Sequence, residues 1–275
     1  MPAAVPSITK VESDCSTMVS ITWGQEWAEA YDAIYAYQAE PSVLDPMVDL
    51  LVELARGGPA LEFAVGTGRV ALALSARGVP VQGIELSPHM EQRLRAKPGA
   101  DAVPVTIGDM ASTRVAGSFK LVYLVANTIM NVTTQDEQVA VFANAAAHLD
   151  TDGCFVVEVI VPQLRSVPRG EIGRVFTLDT DHIGIETFDD LVGQVAWSHH
   201  WTEVRGRLIR HSNPYRYVWP SELDLMAYIA GMTLRERWSD WDREPFTSDS
   251  TSHVSVWEKS HERPEHGSAD ARSLD

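Results

Sequence analysis

Three carboxylates stand where a chain that binds a nucleotide would need them. Glu62 opens the run Glu62-Phe63-Ala64-Val65-Gly66-Thr67-Gly68, Glu85 ends an apolar segment (Val81–Glu85), and Asp109 follows Gly108. Gly66 and Gly68 permit a sharp turn and close approach of a ligand to the backbone, because no Cβ intervenes. Leu61, Phe63 and Val65 predict a buried strand before the turn, and Val70, Ala71, Leu72 and Leu74 predict a helix after it. The helix then aims its unsatisfied N–H groups and positive dipole end into the turn.

This pattern serves two ligand classes. A dinucleotide fold asks for G-x-G-x-x-G and an acid about 20 residues on, and Ala71 and Glu85 satisfy both demands by spacing alone. Its pyrophosphate, however, occupies the helix N–H groups, and a carboxylate at Glu62 would repel it. A cationic ligand carrying an amino acid suits Glu62 better. At these residues the chain resembles the class I S-adenosylmethionine-dependent methyltransferases, with Ala64 replacing the first glycine of their acid-x-G-x-G-x-G motif. The resemblance runs for about 200 residues through Val81–Ser87, Gly108-Asp109-Met110, Phe119–Asn127 and Phe155–Val159. It implies an α/β fold with a doubly wound, mostly parallel seven-stranded sheet. It also implies cofactor contacts from Tyr31, Glu62, Ala64, Gly66, Gly68, Glu85, Leu86, Met90, Gly108, Asp109, Met110, Val125 and Asn127, with Glu85 on the ribose and Asp109 near the adenine.

Elements must position these groups. Residues 1–57 read as a loose arm over 1–20, then a helical lid from Trp23 with Trp27, Tyr31 and Ile34 at helical spacing. Residues 58–161 alternate strand and helix as the cofactor-binding core, which implies a parallel sheet covered on both faces. Residues 162–219, rich in β-formers with a hairpin signal at Val204-Arg205-Gly206-Arg207, read as an antiparallel β insertion over the carboxyl edge of the sheet. Residues 220–258 supply a helix and two closing strands, and 259–275 form a polar tail expected to be disordered.

Acceptor chemistry is expected from the insertion. An amine acceptor need only be neutral, whereas a hydroxyl needs a general base. Glu171 and Glu186 are the best candidate bases of the insertion, with His182, His199 and His200 as competitors, and Glu171, His182 and His199 are the expected catalytic residues. Tyr35, Trp197, Trp201, Arg205, Arg207, Arg210, Tyr217 and Trp219 are candidate substrate contacts. Basic groups beside aromatics also suit a prenyl diphosphate, methylated at carbon with a carboxylate base and Mg2+ held by Glu171 and Glu186; cation–aromatic attraction is worth roughly 0.5–2 kcal/mol. Asn127 is followed by Thr128-Ile129-Met130, a departure from the Asn/Asp-Pro-Pro-aromatic motif of nucleic-acid and protein amino-group methylases.

Composition narrows the classes. Of 275 residues, 45% are apolar and 22% charged, as in ordinary globular proteins, and the net charge of −16 opposes a nucleic-acid substrate. No apolar run reaches the ~18 residues of a membrane helix, and the N-terminus lacks a signal-peptide pattern. Cys15 and Cys154 form no metal pattern and point to a reducing cytoplasm. The expected function is methyl transfer to nitrogen or oxygen of a small metabolite such as a sugar. A nicotinamide-dependent oxidoreductase is the rival, opposed by Glu62 and by the lack of a Tyr-x-x-x-Lys.

Overall fold

The computed structural model describes residues 24–204 and 206–259; the expected arm over 1–20, Trp23, Cys15, Arg205 and residues 260–275 lie outside it. The chain runs through α1 (Gln25–Ile34), a 3-10 turn (Ala36–Ala39), α2 (Pro41–Ala55), β1 (Ala60–Phe63), α3 (Arg69–Ala76), β2 (Val81–Glu85), α4 (Pro88–Arg95), β3 (Val105–Ile107), β4 (Phe119–Leu124), α5 (Gln135–His148) and β5 (Leu149–Ile160). Four further strands follow, β6 (Gly173–Leu178), β7 (His182–Asp190), β8 (Val195–Val204) and β9 (Arg207–Arg216), then α6 (Pro220–Ile229), β10 (Met232–Trp238) and β11 (Ser252–Lys259).

The main sheet has the order β10-β11-β5-β4-β1-β2-β3, parallel from β5 to β3 and closed by an antiparallel pair. In β4, Val122 and Leu124 join the apolar cluster of α5 and α6, while Leu121 and Tyr123 join that of α2 and α3. Both faces are thus buried, and the strand reads as a continuous apolar run. Each fully buried side chain of this kind contributes roughly 1.5–3 kcal/mol.

Between β5 and α6, strands β6 to β9 form a separate antiparallel sheet in chain order. Val204 pairs with Arg207 at the expected hairpin. Phe188, Ala196, Tyr215 and Tyr217 sew this sheet to the α5/α6 side of the core. Lys259, expected in the tail, is still part of β11, where its Nζ donates to Leu149 O at 2.6 Å. No helix among the described residues is long and apolar enough to cross a membrane.

Candidate active site

A cavity of about 910 Å³ lies between the glycine turn and the carboxyl ends of β2, β3 and β4 on one side, and α1 and the antiparallel sheet on the other. That is within the size range of small-ligand sites.

The floor is the turn after β1. Ala64, Gly66 and Gly68 all take left-handed backbone conformations, with φ of 53°, 58° and 81°. Gly66 lines the cavity, and its N–H donates to Glu85 Oε2 at 2.7 Å. Ser87 N–H donates to the other oxygen, Oε1, at 2.8 Å. Glu85 is therefore a buried carboxylate held at a strand end by two backbone donors, with its remaining lone pairs available to the cavity. Burial raises its pKa, and the bonds from Ser87 and Gly66 oppose the shift. Ile84, Leu86, Met90 and Met110 add an apolar slot, and Gly108 and Asp109 continue the wall. Asp109 Oδ1 accepts from Ala111 N–H at 2.7 Å, which fixes the turn after β3. Gln38 Oε1 and Asn213 Oδ1 line the same space as buried acceptors without a protein donor. Acceptors of this kind, with Glu85, fit a ligand rich in N–H and O–H groups, and the apolar slot fits a flat ring. A nucleoside bearing an amino acid, such as S-adenosylmethionine, has both.

The lid is α1. Trp27, Tyr31, Ile34 and Tyr35 share one helix face and line the cavity, with the two tyrosine rings 4.8 Å apart. A staple pins this helix to the turn. Thr67 Oγ1 donates to Asp32 Oδ1 at 2.6 Å, and Lys97 Nζ donates to Asp32 Oδ1 and to Thr67 O, both at 2.9 Å. Asp32 stands inside the Tyr31-Asp32-Ala33-Ile34-Tyr35 segment, yet its partners are remote in sequence, and only the fold reveals them. Arg69 Nη1 donates to Gln38 O at 3.3 Å, tying the 3-10 turn to α3.

Three of the expected cofactor residues do not line the cavity. Glu62 is buried beneath the turn and accepts from Tyr123 Oη, its cross-strand neighbour, at 2.9 Å. Burial pushes its carboxyl up to about 8. It braces the turn from below, because its position in β1 turns it into the sheet face. Gly68 supports α3 instead: a Cβ there would lie 2.8 Å from Leu94. Val125 is buried in the α2/α3 cluster, and its successors Ala126 and Asn127 (φ 56° and 61°) line the cavity in its place. Asn127 Oδ1 accepts from Ile160 N–H at 2.7 Å. Glu158, not anticipated, accepts from Ala126 N–H at 2.8 Å and from Trp241 Nε1 at 2.9 Å.

The acceptor side departs further from expectation. Ser198, His200 and Thr202 of β8 face the cavity, so the alternate residues Trp197, His199 and Trp201 lie on the outer face. There Trp197 stacks with His199, and Arg210 sits 5.8 Å above Trp201. Arg207 is exposed at the hairpin, and Arg205 lies outside the described residues. Tyr217 is buried 5.8 Å from Phe188, and Trp219 precedes α6 with 39% of its surface exposed. Glu171 is exposed in a turn, whereas Glu186 is buried against Arg174 at 2.9 Å and accepts from Tyr215 Oη. The two carboxylates do not converge, and no group of three His, Cys, Asp or Glu among the described residues is arranged to hold a metal. Local crowding of tryptophan and arginine carries no information about sheet face.

His182, His200 and Tyr35 are the residues from the expected acceptor set that line the cavity. Glu85, Asp109, Glu137, Asp179 and Asp181 line it as well, and no Lys or Arg does so among the described residues. Thr134 caps α5 and fixes Glu137, accepting its N–H at 3.3 Å and donating to its Oε2 at 2.6 Å.

Residues 60–153 match a family model described as a methyltransferase domain. The CcbJ methyltransferase of Streptomyces caelestis is 31% identical, with a TM-score of 0.77 over 87% of this chain and 98% of that one. The cypemycin N-terminal methyltransferase of a Streptomyces species is 24% identical over 82% of this chain and 96% of its own length. CalS10 of Micromonospora echinaspora, an amino pentose methyltransferase solved with S-adenosylmethionine bound, shares the fold at 19% identity, with a TM-score of 0.62 over 84% of this chain and 97% of that one. Near full-length similarity to CcbJ settles the alternative left by the spacing, and the chain belongs to the S-adenosylmethionine-dependent methyltransferases.

Proposed function

We propose that this protein methylates the amine nitrogen of a small, hydroxylated, cationic metabolite, an amino sugar or a molecule of similar chemistry. The observation that carries this reading is the cavity's charge: five carboxylates and neither Lys nor Arg among its described lining residues. Such a wall attracts an ammonium group and repels a diphosphate. The hydroxyl, amide and imidazole groups of Ser198, Thr202, Asn213 and His200 add partners for hydroxyls. The cypemycin enzyme's name places its chemistry at an N-terminus, also an amine.

When bound, S-adenosylmethionine supplies an electrophilic methyl carbon on a sulfonium. Glu85, Gln38 and the slot of Leu86, Met90 and Met110 would hold it, with Tyr31 and Tyr35 covering it. The protein's part is positioning and exclusion of water, which together account for much of such an in-line displacement. Glu171 and Glu186 do not converge, so the reading has no metal step, and EDTA is expected to leave turnover unchanged. The buried Cys154, its thiol pushed up to about 11 by burial, is unreactive and suits a reducing compartment such as the cytoplasm.

The test is calorimetric binding of S-adenosylhomocysteine, followed by methyl transfer from labelled S-adenosylmethionine to amino sugars, matched hydroxyl analogues and geranyl diphosphate. Label on amines alone is expected. Label on the hydroxyl analogues or the diphosphate, with amines untouched, would overturn the reading.

A further inference from the structure

Strands β7 and β8 bring three proton-carrying groups into line on the cavity wall. His182 Nε2 lies 2.9 Å from His200 Nδ1, with the two rings within 10° of parallel. His200 Nε2 lies 2.8 Å from Ser198 Oγ. All three residues line the cavity. Each contact needs one donor and one acceptor, so the protons must run in a single direction. If Ser198 donates first, His182 ends the chain with a proton on Nδ1 and can only donate. If His182 Nε2–H donates to His200 Nδ1, and His200 Nε2–H to Ser198 Oγ, then His182 Nδ1 keeps a lone pair. Among the described residues that atom has no protein hydrogen-bond partner.

We propose that His182, His200 and Ser198 form the proton acceptor for the substrate ammonium, with His182 as the base and His200 and Ser198 as positioning residues that fix its tautomer. The proposal rests on the amine reading above. One N–H bond of the ammonium breaks, and its electron pair stays on nitrogen. The proton joins the lone pair of His182 Nδ1, giving an imidazolium whose Nε2–H remains donated to His200. The amine is left neutral and nucleophilic.

The surroundings suit these roles. Asp179 and Asp181 lie in the turn before His182 and line the same cavity. His200 pairs in register with His211 of β9, on which Trp27 of α1 stacks at 3.8 Å, and His199 is its neighbour in β8. Burial, with these imidazoles, holds His200 down at about 4. It therefore stays neutral and accepts from His182 throughout the working range. Tyr31 and Tyr35 of α1 are raised by burial and remain neutral as well.

The experiment is long-range proton–nitrogen NMR of the full chain labelled at histidine nitrogen, saturated with S-adenosylhomocysteine, between pH 5 and 9. His200 is expected as one neutral Nε2–H tautomer throughout, with Ser198→Ala disturbing that tautomer and His200→Phe shifting the titration of His182. With an amine acceptor from the panel, His182→Gln should lower kcat about 100-fold and abolish the acid limb of the pH profile, with S-adenosylhomocysteine affinity unchanged. Independent titration of the two imidazoles, unmoved by Ser198→Ala, would overturn the relay, as would undiminished turnover in His182→Gln. A wild-type chain that binds S-adenosylhomocysteine yet methylates no amine would instead sink the amine reading, while the NMR still decides the relay.

Discussion

Ala64 is an L-residue held at φ 53°, in a turn whose other bends fall on glycine. Left-handed backbone costs a residue with a Cβ roughly 1–2 kcal/mol, partly offset by the greater chain entropy glycine loses on folding. Ala64→Gly should therefore stabilise the fold by about 0.5–1 kcal/mol, read as a raised denaturant midpoint with unchanged slope. A lowered midpoint would mean that the methyl group packs better than the backbone suffers. Glu85 is the opposite case, a carboxylate held on the cavity wall by two backbone donors. Removing its carboxylate in Glu85→Ala deletes one charged hydrogen-bond acceptor of the cavity, each such bond being worth about 1.5–3 kcal/mol. S-adenosylhomocysteine should bind at least 10-fold more weakly by calorimetry, whereas equal affinity would show that Glu85 serves the Gly66–Ser87 turn alone. The glycine turn and the acid at the end of β2 were legible as a pattern, because a turn between strand and helix constrains its neighbours locally. Glu62 was misread for the same reason: its type suits a ligand, but its partner Tyr123 is 61 positions away and invisible to a local motif.

Among the elements, α1 depends on side-chain contacts to hold its place over the turn. The Asp32–Thr67–Lys97 staple is part-exposed, so its worth to global stability is small. Its worth to the lid is larger, since α1 otherwise rests on one aromatic face. Asp32→Ala is expected to speed amide exchange across residues 25–34 and to weaken S-adenosylhomocysteine binding several-fold, with the melting temperature nearly unchanged. Exchange confined to its former rate would assign the anchoring to Trp27 and the tyrosines. The antiparallel sheet teaches a related lesson. Its existence and its hairpin at Val204 and Arg207 could be read from β-formers and glycine, but its inner face could not. A register shift of one residue would exchange Trp197, His199 and Trp201 for Ser198, His200 and Thr202, and nothing local fixes that choice. Arg210→Ala, on the outer face, should therefore leave methyl transfer unaltered; a loss above about threefold would return it to the acceptor site.

For the whole molecule, buried titratable groups make stability depend on pH from two sides. Glu62 has its carboxyl raised from 4.5 to about 8 by burial. Between those values the unfolded chain gives up a proton that the native state retains, so this contribution is full below 4.5 and is lost as pH rises through 8. His253, wholly buried beside Ser255, is lowered from 6.5 to about 3 by burial and by Arg237, and His200 and His211 are lowered to about 4. Their contribution is present above 6.5 and is lost as pH falls through those values. Glu62→Gln should remove the alkaline decline alone, so that the variant's unfolding free energy gains on the wild type from pH 5 to 8. Parallel curves for the two proteins would show that Glu62 ionises freely. The fold as a whole was the most legible level, since alternating strand and helix admit few topologies.

Among the described residues, strands β6 to β9 pair as a sheet only with one another, so their ladder ends where the seven-stranded sheet begins. Heredity can therefore act on the two walls of the cavity separately. Rewriting the inward residues Thr202 and Asn213 of β8 and β9 changes the surface that this wall presents to the cavity. The intervening residues, with Phe188, Ala196 and Tyr215 as moorings, keep the sheet in place. A lineage built this way can alter one wall of the cavity without renegotiating the glycine turn that forms its floor.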